Sequence, residues 1–197
     1  YHELIFDGLR YTSLLSIPGA LDRLIYCQSL SKTYAMTGWR IGYVAARGAL
    51  MKPIAQVARM LSGGVTWTVQ RAAVAAINGP HDATRSMRDE YQARRDVITS
   101  LISETPELTW QLPEAAFYAF IRYEAPITAS EAQALLGRNG VRARSGTEYG
   151  PSGEHHIRLS FAASRESVID GVLRVQAILG NNSEVLREYL AEKSRQA

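Results

Sequence analysis

The segment between residues 24 and 46 sets a short polar stretch between two apolar runs. The runs are Leu24–Cys27 and Ile41–Ala46, and both are rich in the residues that strands favour. Short apolar runs of this kind, bounded by turn residues, indicate buried strands. Between them lies Ser29-Leu30-Ser31-Lys32-Thr33, followed by a turn at Gly38-Trp39-Arg40. The sequence thus predicts a lysine among small hydroxyl residues, held between two strands.

Lys32 has a primary amine that can condense with an aldehyde to give a Schiff base. Ser29 and Arg40 add a hydroxyl and a planar, fork-shaped cation, both of which suit a phosphate group. Pyridoxal phosphate (PLP) contains an aldehyde and a phosphate. The segment resembles the lysine motif of the class I/II aminotransferases, which are fold type I PLP enzymes. The resemblance implies that Lys32 forms the Schiff base and that Ser29, Ser31 and Arg40 bind the cofactor.

The first residues also resemble this family. Tyr1–Gly8 is similar to the tyrosine half of a family motif in which an aspartate stands three positions before the tyrosine. The resemblance implies a cofactor-binding and catalytic role for Tyr1, whose hydroxyl would hydrogen-bond the ring oxygen of PLP. The aspartate that would protonate the pyridine nitrogen has no counterpart in the sequence. We therefore expect the C-terminal portion of a longer enzyme, inactive when isolated.

Near the other end of the chain, His156–Phe161 alternates apolar and polar residues as a half-buried strand does. The alternation separates Arg158 from the apolar residues, which face the other side. In the family, the corresponding arginine binds the α-carboxylate of the amino-acid substrate, and the resemblance implies this role for Arg158. The segment Pro113–Tyr118 is also similar to a family segment with a Gly-Ala-Phe-Tyr core, in which Ala115 replaces the glycine.

Apolar periodicity divides the chain into two predicted domains. Up to about residue 80, strand runs alternate with helical patterns, which is typical of α/β layers. The resemblance implies that residues 1–80 are the C-terminal part of the large PLP-binding domain, with a mixed, mostly parallel sheet. Residues 81–197 are predicted to form an interdomain helix and a small α+β domain. Within that domain, Thr128 and Glu131 predict a capping box, and Ser164 and Ser183 predict helix N-caps.

Composition argues against several other classes of protein. The 197 residues carry a net charge of only +3, and the basic residues are scattered, so we expect no nucleic-acid partner. No apolar run approaches the length of a membrane span, so we expect no membrane partner. The four histidines lack metal-ligand spacing, and no metal is expected.

Cys27 is the only cysteine, so no internal disulfide can form. A chain without disulfides is typical of a reducing compartment, and we expect the protein to be cytoplasmic. The position of Cys27 inside an apolar run predicts a buried, inert thiol.

The resemblance implies a PLP-dependent transaminase that moves an amino group between an amino acid and a 2-oxo acid. It also implies a homodimer whose active sites are shared between subunits. Two alternatives stay open. Lyases, decarboxylases and synthases of the same fold share Lys32, Arg40 and Arg158. Some transcription regulators carry an aminotransferase-like effector domain, but these tend to have Pro-Gly-Leu-Arg where this chain has Thr37-Gly38-Trp39-Arg40.

Overall fold

The computed structural model describes residues 1–196. The chain divides into two compact units, Tyr1–Arg88 and the residues from Asp89 onward, and the boundary falls inside a long helix. The domain division at residues 80 and 81 stays a prediction. Among the described residues, no helix combines the length and the apolar composition needed to cross a membrane.

The first unit consists of short strands and helices joined by 3₁₀ turns. Its elements are β1 (Tyr26–Ser29), α1 (Leu30–Thr33), β2 (Gly42–Ala45), α2 (Gly48–Ser62), α3 (Trp67–Asn78) and the start of α4 (Asp82–Ser103). The 3₁₀ turns span Leu14–Ser16, Ala20–Asp22 and Thr37–Trp39. Helices α2 and α3 account for the helical patterns predicted before residue 80.

Strands β1 and β2 pair antiparallel, from Tyr26 opposite Ala45 to Ser29 opposite Gly42. The predicted α/β class is confirmed, and the strand pair of the first unit is antiparallel. Two parallel strands need a crossover of a dozen or more residues, usually with a full helix. The connection here contains only α1 and the 3₁₀ turn Thr37–Trp39, so the chain folds directly back on itself.

A small apolar cluster fixes α1 within the first unit. Leu30 and Met36 are buried together with Ala73 of α3, and partly buried side chains surround them. Thr33 is fully buried, and its carbonyl oxygen accepts a hydrogen bond from Thr84 Oγ1 at 3.3 Å. These contacts hold in place the helix that carries Lys32.

The second unit contains a four-stranded sheet and three further helices. Its elements after α4 are β3 (Leu108–Trp110), β4 (Tyr118–Tyr123), α5 (Ala129–Arg138), β5 (Arg144–Ser145), β6 (His156–Ser160), α6 (Arg165–Leu179) and α7 (Glu184–Gln196). The strand order is β3-β4-β6-β5, and every neighbouring pair is antiparallel. Two 3₁₀ turns, Gly146–Tyr149 and Pro151–Gly153, connect β5 to β6.

The two faces of this sheet differ, as the alternation in the sequence predicts. Ile121, Ile157 and Leu159 lie on the buried face. Phe120 is exposed and Arg158 is half-buried on the other face. Because β6 lies between β4 and β5, Arg158 stands near the middle of the open face.

Three predicted helix caps in the second unit are confirmed. Thr128 and Glu131 form a reciprocal capping box at the start of α5. Ser164 Oγ accepts a hydrogen bond from Ser167 N at 3.2 Å, and Ser183 Oγ accepts one from Leu186 N at 3.0 Å. Each side chain satisfies a backbone N–H that has no partner within its helix.

Candidate active site

Ser29 is the last residue of β1 and directly precedes α1, the helix that carries Lys32. Its backbone is extended, and its Oγ accepts a hydrogen bond from Ser31 N at 3.2 Å, so Ser29 is the N-cap of α1. Lys32 follows within this short helix and is half-buried. Strand β1 and the N-cap at Ser29 together therefore determine where α1, and with it Lys32, begins relative to the sheet.

After α1 the chain turns back, and Arg40 lies beside Ser29 and Ser31. Thr37 Oγ1 donates to the carbonyl oxygen of Ser31 at 3.0 Å, and Arg40 Nη1 donates to the carbonyl oxygen of Thr37 at 3.0 Å. Leu30 N donates to Ile41 O at 3.2 Å and closes the loop. Arg40 has a left-handed backbone, with φ 53° and ψ 50°, which is strained for a residue other than glycine. Strain of this kind is concentrated at ligand sites.

Ser29, Ser31 and Arg40 line one surface depression of about 440 Å³. The complete lining is Cys27, Gln28, Ser29, Ser31, Arg40, Ile41, Gly42, Tyr43 and Val44, which includes no acidic side chain. Among the described residues, no carboxylate forms an ion pair with Arg40, whose guanidinium donates one hydrogen bond to the backbone. Two hydroxyls and a guanidinium with unused donors fit a phosphate group.

Gly42 keeps β1 and β2 close together at the edge of this depression. It pairs with Ser29, and a Cβ atom added at Gly42 would lie 2.5 Å from the carbonyl oxygen of Gln28. A side chain at this position would push the strands apart and displace Ser29. Glycine is therefore required here for close approach and not for its backbone freedom.

The prediction of a buried Cys27 is wrong, because its thiol is exposed. Burial alternates along β1, and Cys27 shares the exposed face with Ser29. The apolar run around Cys27 suggested burial on both faces, but β1 lies in a two-stranded sheet with one open face. Cys27 consequently lines the depression with the serines.

Tyr1 is 40% exposed. The segment that begins with Tyr1 contacts α1, the helix that carries Lys32, through the next residue, His2. His2 Nδ1 lies 2.5 Å from Gln28 Nε2 and 3.5 Å from Thr33 Oγ1. Burial lowers the pKa of His2 below its ordinary value. The structure thus places the Tyr1 segment beside β1 and α1, although Tyr1 is not part of the depression. No sequence motif distinguishes His2, so sequence analysis did not identify it.

Arg158, in the second unit, is flanked by two aromatic rings. Its Cζ lies 4.2 Å from the ring centroid of Tyr118 and 4.6 Å from that of Tyr149. Among the described residues, no side chain or carbonyl accepts a hydrogen bond from Arg158, and no carboxylate pairs with it. A half-buried guanidinium with this environment keeps its N–H donors for a ligand.

A second arginine stands beside Arg158. Arg144 of β5 pairs with Arg158 of β6 in the sheet register. Glu148 forms an ion pair with Arg144 and raises the pKa of the Arg144 guanidinium above its ordinary value. Glu148 thereby engages one of the two neighbouring cations, and in the described part of the chain Arg158 has no acidic partner.

Tyr149, Arg144 and Glu148 were not identified from the sequence. Tyr149 lies in a 3₁₀ turn, where no strand or helix periodicity applies. The available signal was an aromatic residue in a glycine-rich segment, Gly146-Thr147-Glu148-Tyr149-Gly150, shortly before the predicted arginine strand. Among the described residues, no group of three or more His, Cys, Asp or Glu side chains could hold a metal ion.

Comparison with known proteins identifies the family to which this chain belongs. A family model described as aminotransferase class I and II matches residues 1–175. LL-diaminopimelate aminotransferase of Desulforudis audaxviator is 36% identical over 183 residues, which is 91% of this chain and 46% of the relative. Arginine–pyruvate transaminase AruH of Pseudomonas aeruginosa is 33% identical over 177 residues, which is 89% of this chain and 45% of the relative.

Solved structures agree with this assignment. An aromatic aminotransferase from Pyrococcus horikoshii superimposes with a TM-score of 0.84 at 30% identity, covering 91% of this chain and 48% of that one. An aspartate aminotransferase from Rhizobium meliloti gives 0.82 at 29% identity, covering 90% and 47%. The chain spans about half the length of these relatives. It belongs to the class I and II aminotransferases, a family of PLP-dependent enzymes.

Proposed function

We propose that the protein containing this chain is a PLP-dependent aminotransferase that moves an amino group between an amino acid and a 2-oxo acid. The observation that carries the proposal is the depression lined by Ser29, Ser31 and Arg40, with Lys32 following Ser31 directly on α1 although it is not part of the lining. Its donors suit a phosphate, and the neighbouring helix supplies a primary amine. Membership of the aminotransferase family supports the same function.

When bound, PLP supplies an aldehyde for a primary amine and a ring that stabilises the negative charge left at the substrate α-carbon. We assign the binding of its phosphate to Ser29, Ser31 and Arg40. Tyr1 donates a hydrogen bond to the ring oxygen and so orients the cofactor. In this assignment, the chain's own groups hold the phosphate and the ring at separate points, which fixes the plane of the ring.

Lys32 holds the cofactor before an amino acid binds. Its Nζ atom then takes the proton from the substrate α-carbon and acts as a general base. Arg158 binds the substrate α-carboxylate with two parallel N–H donors and so fixes the position of the α-carbon. Unused donors on a half-buried guanidinium support this role for Arg158.

We also propose the wider setting expected from the sequence. The protein is a cytoplasmic homodimer whose active sites are shared between subunits, and it has no nucleic-acid, membrane or metal partner. The single cysteine supports a reducing compartment. Amino acids and 2-oxo acids are the substrates.

Supplying one amino acid without an acceptor tests the reaction type. A transaminase releases at most one equivalent of 2-oxo acid per site and continues only when a second 2-oxo acid is added. We expect this stoichiometry from the natural full-length protein loaded with PLP, screened against a panel of amino acids. Continued release of ammonia or carbon dioxide without an acceptor would contradict transamination and favour a lyase or a decarboxylase.

A further inference from the structure

We propose that Tyr149, together with Tyr118, is a positioning residue that holds Arg158 ready for a carboxylate ligand. The inference rests on the proposed function, in which Arg158 binds the substrate α-carboxylate. It adds an aromatic clamp, defined as the rings of Tyr118 and Tyr149 against the Arg158 guanidinium. Neither tyrosine needs to touch the substrate for the clamp to act.

The clamp is assembled from elements on both sides of β6. Tyr118 begins β4, which pairs with β6 on one side, and its ring centroid lies 4.2 Å from Arg158 Cζ. Tyr149 follows β5, which pairs with β6 on the other side, and its ring centroid lies 4.6 Å away. An aromatic ring attracts a cation placed over its face, so both rings restrain the guanidinium without occupying its N–H donors.

A restrained arginine binds a carboxylate better than a mobile one. Arginine has a long side chain that loses rotamer freedom when a ligand immobilises it. Contacts that restrict the side chain beforehand reduce this loss on binding. The restrained fork also matches the planar geometry of a carboxylate, which it can bind in a bidentate manner.

The turn that carries Tyr149 is itself tightly packed. Gly146 and Gly153 approach so closely that a Cβ atom on either would overlap the backbone of the other. Ser145 Oγ and Thr147 Oγ1 form a hydrogen bond of 2.7 Å at the start of the turn. The Phe120 ring lies edge-on to Tyr149, with centroids 6.1 Å apart. These contacts limit the positions that the Tyr149 ring can take.

Glu148 and Tyr149 also separate the roles of the two neighbouring arginines. Glu148 pairs with Arg144, and this contact, with a smaller contribution from Tyr149, raises the pKa of the Arg144 guanidinium. Arg144 is thereby engaged by a carboxylate of the turn, whereas Arg158 lies against the faces of two aromatic rings and has no carboxylate partner within residues 1–196. Arg158 is thus the member of the pair with donors available to a ligand.

Binding of propionate, a carboxylate without an amino group, tests the clamp directly. The natural full-length protein with PLP bound is titrated by calorimetry as wild type, Tyr149→Leu and Tyr149→Phe. We expect about 5- to 30-fold weaker binding for Tyr149→Leu, which loses the ring. Tyr149→Phe keeps the ring and should stay within about twofold of wild type, because losses of small surface contacts are of that size. Unchanged affinity in Tyr149→Leu would overturn the clamp.

Tyr189→Leu is the matched control, because this half-buried tyrosine of α7 bonds Glu131 and not Arg158. It should leave the propionate affinity unchanged within about twofold. If Tyr149→Leu fails to fold, as judged by its unfolding midpoint, Tyr118→Leu replaces it with the same expected loss. In an enzyme assay, either variant should raise KM for the amino acid more than it lowers kcat.

A double-mutant cycle separates failure of the clamp from failure of the proposed function. In an Arg158→Ala background, Tyr149→Leu should cause no further loss of propionate affinity, because the clamp acts only through Arg158. An equal loss in both backgrounds would show that Tyr149 acts elsewhere, which overturns the clamp alone. Full propionate affinity in Arg158→Ala itself would instead remove Arg158 from the proposed substrate site.

Discussion

Arg40 and Arg158 are the same side chain in two different environments. Arg40 is exposed, donates to the Thr37 carbonyl and shares a depression with Ser29 and Ser31. Arg158 is half-buried and contacts aromatic faces. Hydroxyls beside an exposed cation suit a phosphate, whereas a restrained fork without acidic neighbours suits a carboxylate. The two environments therefore predict two separate ligands.

Replacing each arginine should impair a different binding step. Hydrogen bonds to charged groups contribute about 1.5–3 kcal/mol each, so loss of a bidentate pair costs about 3–6 kcal/mol. Arg158→Ala should thus lower kcat/KM for amino acids on the order of a hundred- to ten-thousand-fold and leave PLP affinity nearly unchanged. Arg40→Ala should raise the PLP dissociation constant on the order of tenfold or more. Fluorescence titration with PLP and steady-state kinetics on the natural full-length protein measure both effects.

Conservative variants provide the control for this comparison. Arg158→Lys keeps the charge but loses the planar fork, so it should recover only part of the lost kcat/KM. The assignment would be wrong if Arg158→Ala lost PLP affinity while keeping its affinity for the amino acid.

At the residue scale, sequence motifs predict sites whose residues lie close together in the sequence. Ser29, Lys32 and Arg40 belong to one continuous stretch, and the structure brings the serine and the arginine to one depression. Tyr149 could not be found in this way, because its contact with Arg158 depends on the pairing of β5 with β6. Such a contact joins residues that no local pattern connects.

At the element scale, Glu131 links the start of α5 to α7. It hydrogen-bonds Lys193 and Tyr189 of α7, and it also accepts hydrogen bonds from the backbone N–H and hydroxyl of Thr128. The bond from Lys193, followed by those from Thr128, lowers the pKa of Glu131 from 4.5 to about 2. The ionised carboxylate is therefore favoured in the folded protein.

This lowered pKa predicts a stability change in acid. A carboxyl group whose pKa is lower in the folded state stabilises fully above its unfolded pKa of 4.5, and the effect is lost as pH falls towards about 2. As the pH falls from 4.5 to about 2, the unfolding midpoint of wild type should decrease more steeply than that of Glu131→Gln, in which the side chain at position 131 does not titrate. Glu192→Gln, an exposed glutamate of α7, is the control and should follow the wild-type profile. Parallel pH profiles for wild type and Glu131→Gln would contradict the assignment.

Helices were more predictable than strands. The capping box at Thr128 and the caps at Ser164 and Ser183 are local signals, and all three are confirmed. Strand β3 has only three residues, Leu108–Trp110, which is too short to show a period, and it was not predicted. The antiparallel pairing of β1 with β2 depends on the short connection between them.

At the scale of the whole molecule, the two units differ in how well they cover their apolar side chains. In the second unit, Ile157, Leu136 and Tyr123 are fully buried. In the first unit, Leu61 is 82% exposed and Trp67 is 72% exposed. Large exposed apolar side chains mark surfaces that bind other protein segments. Of the two units, the first therefore leaves more of these large apolar side chains exposed to contact with another protein segment.

The proposed homodimer is a prediction at this same scale. Sedimentation equilibrium of the natural full-length protein should give twice the mass of one chain across a range of concentrations. Dilution should dissociate the dimer only well below micromolar concentrations, as for an obligate interface. A single-chain mass at every concentration would contradict the shared active site.

In the proposed function, Lys32 is the residue that bonds the cofactor. The sequence contains three lysines, Lys32, Lys52 and Lys193; Lys52 is exposed on α2, and Lys193 is paired with Glu131. Borohydride reduction fixes PLP permanently to the lysine it is bonded to, and peptide mapping by mass spectrometry then locates the modified residue. We predict that the natural full-length protein, loaded with PLP and reduced, carries the label on the peptide containing Lys32. A label on any other lysine, with Lys32 unmodified, would show that Lys32 does not bond the cofactor.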